Sequence, residues 1–136
     1  MALTLTIVTP DGEKYHESTV SVLLPGSEGD FGVLPGHERF LTPLRIGEVE
    51  IRAEGDTLYA SISEGFADVS GDEVTVMVES CELAHQIDEA RAELAHSRAE
   101  QDLAELGVDE AEKRREDFEA ALTRAQVRLA VKKKSS

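Results

Sequence analysis

A single break in composition near residue 80 constrains this 136-residue chain more than any other feature. Residues 1–80 hold all 4 prolines, 9 of the 10 glycines and 20 Val, Ile or Thr residues. Residues 81–136 hold 11 alanines and one glycine. Because β-branched residues favour strands and alanine favours helices, the sequence predicts a strand-rich first part and a helical second part.

The first part is typical of a sandwich of short strands. Apolar and polar residues alternate over 3–8, and a Pro-Asp-Gly turn follows. Further strand-like stretches cover residues 18–24, 39–45, 48–54, 57–63, 66–70 and 73–79. Glycine-containing turns recur between them, and no segment is long enough for a crossover helix. We therefore expect an antiparallel β-sandwich, and parallel α/β winding is excluded.

Residues 25–36 form a glycine-rich stretch between two predicted strands. The stretch lacks the Lys-Ser/Thr ending of a phosphate-binding loop, and Glu28 and Asp30 would repel phosphate. We predict a shaped loop, which is either a plain crossover between strands or a rigid binding surface.

The second part predicts two helices. An alanine and leucine stripe runs from Ile87 to Leu106, and Asp109 with Glu112 is a plausible N-terminal cap for a second helix. A link of two or three residues makes the helices antiparallel neighbours, with residues whose numbers sum to about 215 lying level. The predicted fold is thus an α+β chain, a β-sandwich over residues 1–84 followed by an antiparallel two-helix hairpin over residues 85–136.

Charge and composition exclude several classes of function. The net charge of −14 opposes nucleic-acid binding, and no apolar stretch is long enough to span a membrane. A lone Cys81 cannot close an intrachain disulfide. We expect no metal site and no catalytic constellation, because the four histidines lack metal-ligand spacing and no nucleophile motif is present.

The helical part carries arginines at helical spacing. Arg91 and Arg98 lie seven residues apart, and Arg124 and Arg128 lie four apart. The predicted hairpin register sets Arg124 beside Arg91 and Arg128 beside residues 87–88. The cluster is then either a phosphate clamp that uses the guanidinium forks or a solvated basic face.

Several ordered motifs closely resemble the epsilon-subunit family of bacterial F-type ATP synthases. These motifs are Gly29-Asp30-Phe31-Gly32-Val33-Leu34-Pro35-Gly36-His37, Leu41-Thr42-Pro43-Leu44, Ser63-Glu64-Gly65-Phe66-Ala67-Asp68-Val69, Val74-Thr75-Val76 and Ile87-Asp88-Glu89-Ala90-Arg91-Ala92. The resemblance covers essentially the whole chain. It implies a β-sandwich that contacts the gamma subunit and the c-ring, and a helix pair that changes shape to inhibit ATP hydrolysis.

The resemblance also implies roles for individual residues. ATP would be a regulatory ligand and not a required cofactor, and its site would comprise Glu82, Ile87, Asp88, Arg91, Ala92, Arg98, Arg124 and Arg128. Partner contacts would involve Glu28, Gly29 and Asp30 at the c-ring and His37 at gamma. In an extended hairpin, inhibitory contacts with the alpha and beta subunits would come from Arg114, Arg115, Arg124 and Arg128.

We therefore expect a non-catalytic regulatory and coupling subunit of the central stalk, peripheral to the cytoplasmic face of a bacterial inner membrane. The sandwich would join the stalk to the ring, and the hairpin would act as a two-position brake under ATP control. The alternative is a free-standing β-sandwich adaptor whose helix pair docks a partner without nucleotide control.

Overall fold

The computed structural model describes residues 2–107 and 112–134 of the chain, except for the side chain of His37. Within these residues there are ten strands, a short 3₁₀ helix over Ala84–Gln86 and two α-helices. The strands are β1 (Leu3–Thr9), β2 (Gly12–Thr19), β3 (Ser21–Gly26), β4 (Gly29–Val33), β5 (His37–Leu44), β6 (Gly47–Ala53), β7 (Asp56–Ile62), β8 (Gly65–Gly71), β9 (Glu73–Val78) and β10 (Cys81–Leu83). The helices are α1 (Glu89–Ala104) and α2 (Glu112–Lys133).

The predicted β-sandwich followed by a pair of helices is confirmed. The strands follow the order β10-β7-β6-β3-β5-β8-β9-β1-β2, and β4 pairs with β3. Strand β3 joins two halves, because Ser21 to Leu23 pair with β6 while Gly26 pairs with Leu44 of β5. The ladders are antiparallel except for that between β1 and β9, which is parallel.

The core lies between the two halves and is built from their inward-facing residues. Leu5, Val22, Ile51 and Val76 come from four different strands and are all at most 1% exposed. Alternation within each strand explains this, because successive residues point to opposite faces. The sandwich therefore has one continuous hydrophobic core that is complete before the helices begin.

Strands β2, β4 and β10 were missed by the sequence pattern. Strand β2 is exposed at nearly every residue, so it lacks the alternation that marks a half-buried strand. The predicted loop over 25–36 is wrong, because β3 and β4 form a tight hairpin there. Gly29 has φ +136°, and a Cβ on Gly26 would lie 2.6 Å from the Gly29 carbonyl oxygen. The glycines of this stretch thus make a close turn instead of a long loop.

The helices form a hairpin whose last turns rest on the sandwich. Asp88 caps α1 by accepting a hydrogen bond from the Arg91 amide at 3.1 Å. The predicted cap of the second helix, Asp109, lies outside the described residues. The end of α2 contacts β6, β7 and the 3₁₀ helix. No helix among the described residues is both long and apolar enough to cross a bilayer.

Candidate functional site

Small buried residues set the register of the hairpin. Ala92 packs in one cluster with Val131, and the buried Ala99 and Ala125 line one depression between the helices. Level residues therefore have numbers that sum to about 223 instead of 215, a shift of about 12 Å along α1. Helix α1 ends at Ala104, two residues before the predicted end at Leu106.

This register corrects the predicted arginine cluster. Three guanidinium side chains surround a depression of about 230 Å³ between the helices, but they belong to Arg98, Arg124 and Arg128. Arg91 does not line it, because the shift places Arg91 one to two turns nearer the sandwich. The other lining residues are Ala95, Ala99, Asp102, Ala121 and Ala125. The alanines leave the opening that the arginines border.

Glu82 is the counterion of one of these arginines. Its Oε1 atom lies 2.7 Å from Arg128 Nε, and the two residues come from β10 and α2. The Nε atom is buried, and its N–H is not aligned for a hydrogen bond with any described acceptor. The contact is therefore an ion pair between the sandwich and the hairpin.

The remaining residues of the predicted nucleotide motif have structural roles here. Ile87 and Ala92 are 3% and 0% exposed and pack in one cluster with Ala84. Asp88 is the helix cap, and Arg91 is exposed while its amide donates to that cap. The motif thus shapes the start of α1, while the depression bordered by arginines lies further along the hairpin.

The predicted inhibitory arginines fall into two separate groups. Arg114 and Arg115 are exposed in the first turn of α2, where the Arg114 guanidinium lies 5.8 Å from the centre of the Phe118 ring. Arg124 and Arg128 lie about 15 Å further along the helix. Only the second group borders the depression.

The predicted partner contacts are also divided. Glu28 is exposed in the turn between β3 and β4, followed by Gly29, and Asp30 forms an ion pair with Arg45. His37 begins β5 beyond the other end of β4, where its backbone pairs with Gly71. Its side chain lies outside the described part of the chain. The structure therefore places Glu28, Gly29 and Asp30 together and His37 at the opposite end of the strand.

A row of exposed apolar residues was missed by the sequence analysis. Pro43 lies opposite Phe66, Phe66 opposite Met77, and Met77 beside Val8, so the row crosses four strands on the outer face of the sandwich. Phe66 is 51% exposed and Met77 is 40% exposed. These residues border a broad depression of about 650 Å³. The sequence did contain a signal for this row. Phe66 and Met77 are apolar although they occupy outward positions of β8 and β9, where a half-buried strand usually carries polar residues.

This apolar row, defined by Val8, Pro43, Phe66 and Met77, lies at the same end of the sandwich as the Glu28 turn. Leu44 of β5 lies between the two surfaces. It pairs with Gly26, next to the Glu28 turn, and with Gly65, next to Phe66. An exposed apolar patch on a rigid sheet is typical of a protein interface. The acidic turn and the apolar row therefore form two neighbouring surfaces.

Comparisons with known proteins agree over the whole chain. The family model for the β-sandwich domain of the ATP synthase delta/epsilon chain matches residues 2–84, and the model for its long α-helix domain matches residues 85–133. The ATP synthase epsilon chain of Nitratidesulfovibrio vulgaris is 46% identical over 96% of both chains. ATP synthase epsilon chain 2 of Syntrophotalea carbinolica is 43% identical over 95% of this chain and 92% of its own length.

Solved structures of ATP synthases contain similar chains. A chain from the mitochondrial ATP synthase of Euglena gracilis, in a structure of its OSCP, F1 and c-ring, superposes with a TM-score of 0.78 at 26% identity over 95% of this chain and 80% of that chain. A chain of the central stalk and c-ring of the Tetrahymena thermophila enzyme has a TM-score of 0.63 at 11% identity over 97% of both chains, which supports the fold alone. The resemblance seen in the sequence motifs is confirmed.

Proposed function

This chain belongs to the ATP synthase delta/epsilon family, and from that premise we propose that it is a non-catalytic coupling and regulatory subunit of the central stalk. Its sandwich attaches to the gamma subunit and the c-ring, on the cytoplasmic face of a bacterial inner membrane. Its hairpin is a brake on ATP hydrolysis. The observation that carries the attachment is the exposed apolar row on the rigid sandwich.

Two neighbouring surfaces support two rotor contacts. In this proposal gamma covers the apolar row, because burial of Phe66 and Met77 would remove exposed apolar area from water at about 25 cal/mol per Å². The c-ring meets the Glu28 turn, where the Glu28 carboxylate is exposed. Since both surfaces lie at one end of the sandwich, one rigid body spans the two partners.

Substitution of Phe66 tests the attachment. We expect Phe66→Glu to reduce co-purification of this chain with gamma by more than tenfold, because it places a charge in the apolar contact. The fold should persist, since Phe66 points outward and is 51% exposed. Leu94→Glu is the matched control, because Leu94 is a 63% exposed apolar residue of α1. Retention of gamma by Phe66→Glu would refute the apolar row as the attachment surface.

The brake is proposed to work by a shift between two hairpin positions. An extended hairpin would insert basic residues, Arg114, Arg115, Arg124 and Arg128, among the alpha and beta subunits and oppose rotation. Removal of residues 85–136 should therefore leave assembly and ATP synthesis largely intact and relieve the inhibition of hydrolysis. Loss of assembly after this deletion would contradict the division of roles.

ATP is proposed as the ligand that favours the folded hairpin. The convergence of Arg98, Arg124 and Arg128 around one depression supports an anion site, since guanidinium forks suit phosphate. A ligand that binds only the folded hairpin stabilises it by RT ln(1+[L]/Kd). Binding of phosphate there would also give Arg128 a second partner besides Glu82.

Calorimetric titration of the isolated chain with ATP tests this site. Arg124→Ala and Arg98→Ala should each weaken binding by the equivalent of a charge-assisted hydrogen bond, roughly 1.5–3 kcal/mol or about 10- to 150-fold. Arg115→Ala is the control, because Arg115 lies in the first turn of α2, away from the depression. Arg91→Ala should have a smaller effect than Arg98→Ala. Failure to bind ATP at millimolar concentration would leave the adaptor without nucleotide control as the better description.

A further inference from the structure

Lys134, the residue directly after α2, contacts two side chains of the sandwich. Lys134 Nζ lies 2.8 Å from Glu48 Oε2 on β6 and 5.0 Å from the centre of the Tyr59 ring on β7. An ammonium group over an aromatic face is attracted by the ring, in addition to its pairing with the carboxylate. The hydrogen bond to Glu48 raises the pKa of Lys134 and so favours the charged ammonium.

Other contacts at this end of the hairpin are also polar. Lys132 Nζ donates to the Ala84 carbonyl at 3.4 Å, and Arg128 pairs with Glu82. Apolar contact is limited here to a small cluster around Val131. A cavity of about 300 Å³ remains between the helix end and the sandwich, bordered by Asp56, Thr57, Leu58, Tyr59, Leu83, Ala84, His85 and Lys134. The helix end is thus docked by a small apolar cluster together with several polar contacts, and it is incompletely packed.

The charge distribution of the chain favours this kind of docking. Residues 1–80 carry 15 acidic and 4 basic residues, whereas α2 ends in consecutive lysines. The Lys134 side chain is 46% exposed and that of Glu48 is 29% exposed, so salt can screen their attraction. Docking of this type is reversible, because an exposed ion pair contributes little to stability.

We propose that Lys134, Glu48 and Tyr59 form a salt-sensitive latch that holds the end of α2 against the sandwich and sets how readily the hairpin detaches. Its effect on ATP hydrolysis rests on the proposed function, whereas the latch itself is a property of the isolated chain. Lys134 is thus one side of a contact that couples the sandwich to the hairpin.

Hydrogen exchange of the isolated full-length chain tests the latch. In Glu48→Gln, the amides of the last two turns of α2 should exchange about two- to fivefold faster, which is the equivalent of one exposed ion pair. Glu54→Gln is the matched control, since Glu54 is an exposed carboxylate in the turn after β6. Amides of the sandwich core should keep their exchange rates in both variants. Faster exchange in the core would indicate global unfolding, which distinguishes it from local detachment of the helix end.

Salt and a double variant sharpen the test. Salt at 0.5 M shortens the screening length to about 4 Å and should speed exchange in the wild-type chain but add little in Glu48→Gln. Glu48→Gln with Lys134→Gln should match Lys134→Gln alone, because Lys134→Gln already removes the pair with Glu48. Equal exchange in Glu48→Gln and Glu54→Gln, or additive effects in the double variant, would overturn the latch.

Measurement in the assembled complex separates the latch from the brake. If the hairpin is the brake, Glu48→Gln should lower ATP hydrolysis by favouring the extended position. Faster exchange in the isolated chain with unchanged hydrolysis would support the latch and contradict the brake. Unchanged exchange with altered hydrolysis would contradict the latch and support a separate action of Glu48 in the complex.

Discussion

The sandwich and the hairpin of this chain are stabilised by different means. The sandwich buries branched side chains from nearly every strand, including Leu3, Leu24 and Ile51 at 0% exposure. In the described part of the hairpin, α1 buries Ala92 and Ala99, and α2 buries Ala125 and Val131. Burial of a Leu or Ile contributes about 1.5–3 kcal/mol, against about 0.8 kcal/mol for a methyl group. The sandwich is therefore a rigid platform, and the hairpin is an element that can leave it at low cost.

The largest effect is expected when the sandwich and the hairpin are produced as separate fragments. Residues 1–84 alone should unfold cooperatively with a β-type circular dichroism spectrum, because none of the described helical residues belongs to the sandwich core. Residues 85–136 alone should lose most of their helical signal, since their buried cluster includes contact with Tyr59 of the sandwich. A stable helical fragment, or an unfolded sandwich fragment, would refute the proposed difference.

The second-largest expected effect is a difference in stability between glycine substitutions in the sandwich and in the helical part. A Cβ on Gly65 would lie 1.9 Å from the Met77 carbonyl oxygen, whereas a Cβ on Gly107 would have no atom of the described residues within 4 Å. Gly65→Ala should therefore force β8 from β9 and lower the free energy of unfolding by more than about 3 kcal/mol, the upper part of the overpacking range. Gly107→Ala should change it by less than about 0.5 kcal/mol. Chemical denaturation of the two variants provides the comparison, and equal losses would contradict it.

A smaller effect is expected from matched valines. Val49 of the sandwich and Val131 of the hairpin are both 0% exposed. Val49→Ala should lower the free energy of sandwich unfolding by about 2 kcal/mol, through lost apolar burial and a residual cavity. Val131→Ala should leave that transition unchanged and lower only the helical signal at moderate temperature. A shift of the sandwich transition by Val131→Ala would show that the two regions unfold as one unit.

The smallest effect is a difference in thiol labelling. Cys81 is 6% exposed, and burial raises the pKa of its thiol to about 11. At pH 8 only about one thiol in a thousand is therefore the reactive thiolate in the folded chain. Labelling should report opening of the sandwich, so Val49→Ala should accelerate it and Glu48→Gln should not. Fast labelling of the wild-type chain at pH 8 would contradict the burial of this thiol.

The same pKa gives a pH dependence with a definite sign. The folded chain keeps the Cys81 proton up to about pH 11, whereas the thiol of the unfolded chain releases it near its ordinary value of 9.0. Unfolding thus releases a proton between these values, and sandwich stability should fall as the pH rises from about 9 to 11. Cys81→Ser should remove this contribution, which denaturation at pH 8 and pH 10.5 can measure.

Much of the candidate site followed from the sequence, and the reasons for the exceptions are physical. The helical spacing of Arg124 and Arg128 correctly placed them together, because 3.6 residues per turn is a local property. The predicted register set Arg91 level with Arg124, whereas in the structure Arg98, which the prediction also included in the site, borders the depression. The register between two helices depends on which small residues of one helix pack against which small residues of the other. The periodicity of each helix alone does not specify that pairing.

The apolar row is a second example of a feature that strand pairing decides. Phe66 and Met77 are eleven residues apart in the chain, and each is an ordinary outward residue of its own strand. They become one surface because β8 and β9 pair in a register that sets them opposite each other. The ion pair of Arg128 with Glu82 has the same origin, since it joins elements separated along the chain.

The sequence by itself determined the two-part architecture, the positions of most strands and both helices, and the family, because composition, alternation and ordered motifs are local. Only the tertiary structure decided the hairpin register, the apolar row and the docking of Lys134 on Glu48. These features depend on which surfaces face each other after folding. Local patterns describe the faces of each element, whereas the pairing of faces is settled by the packing of the whole chain.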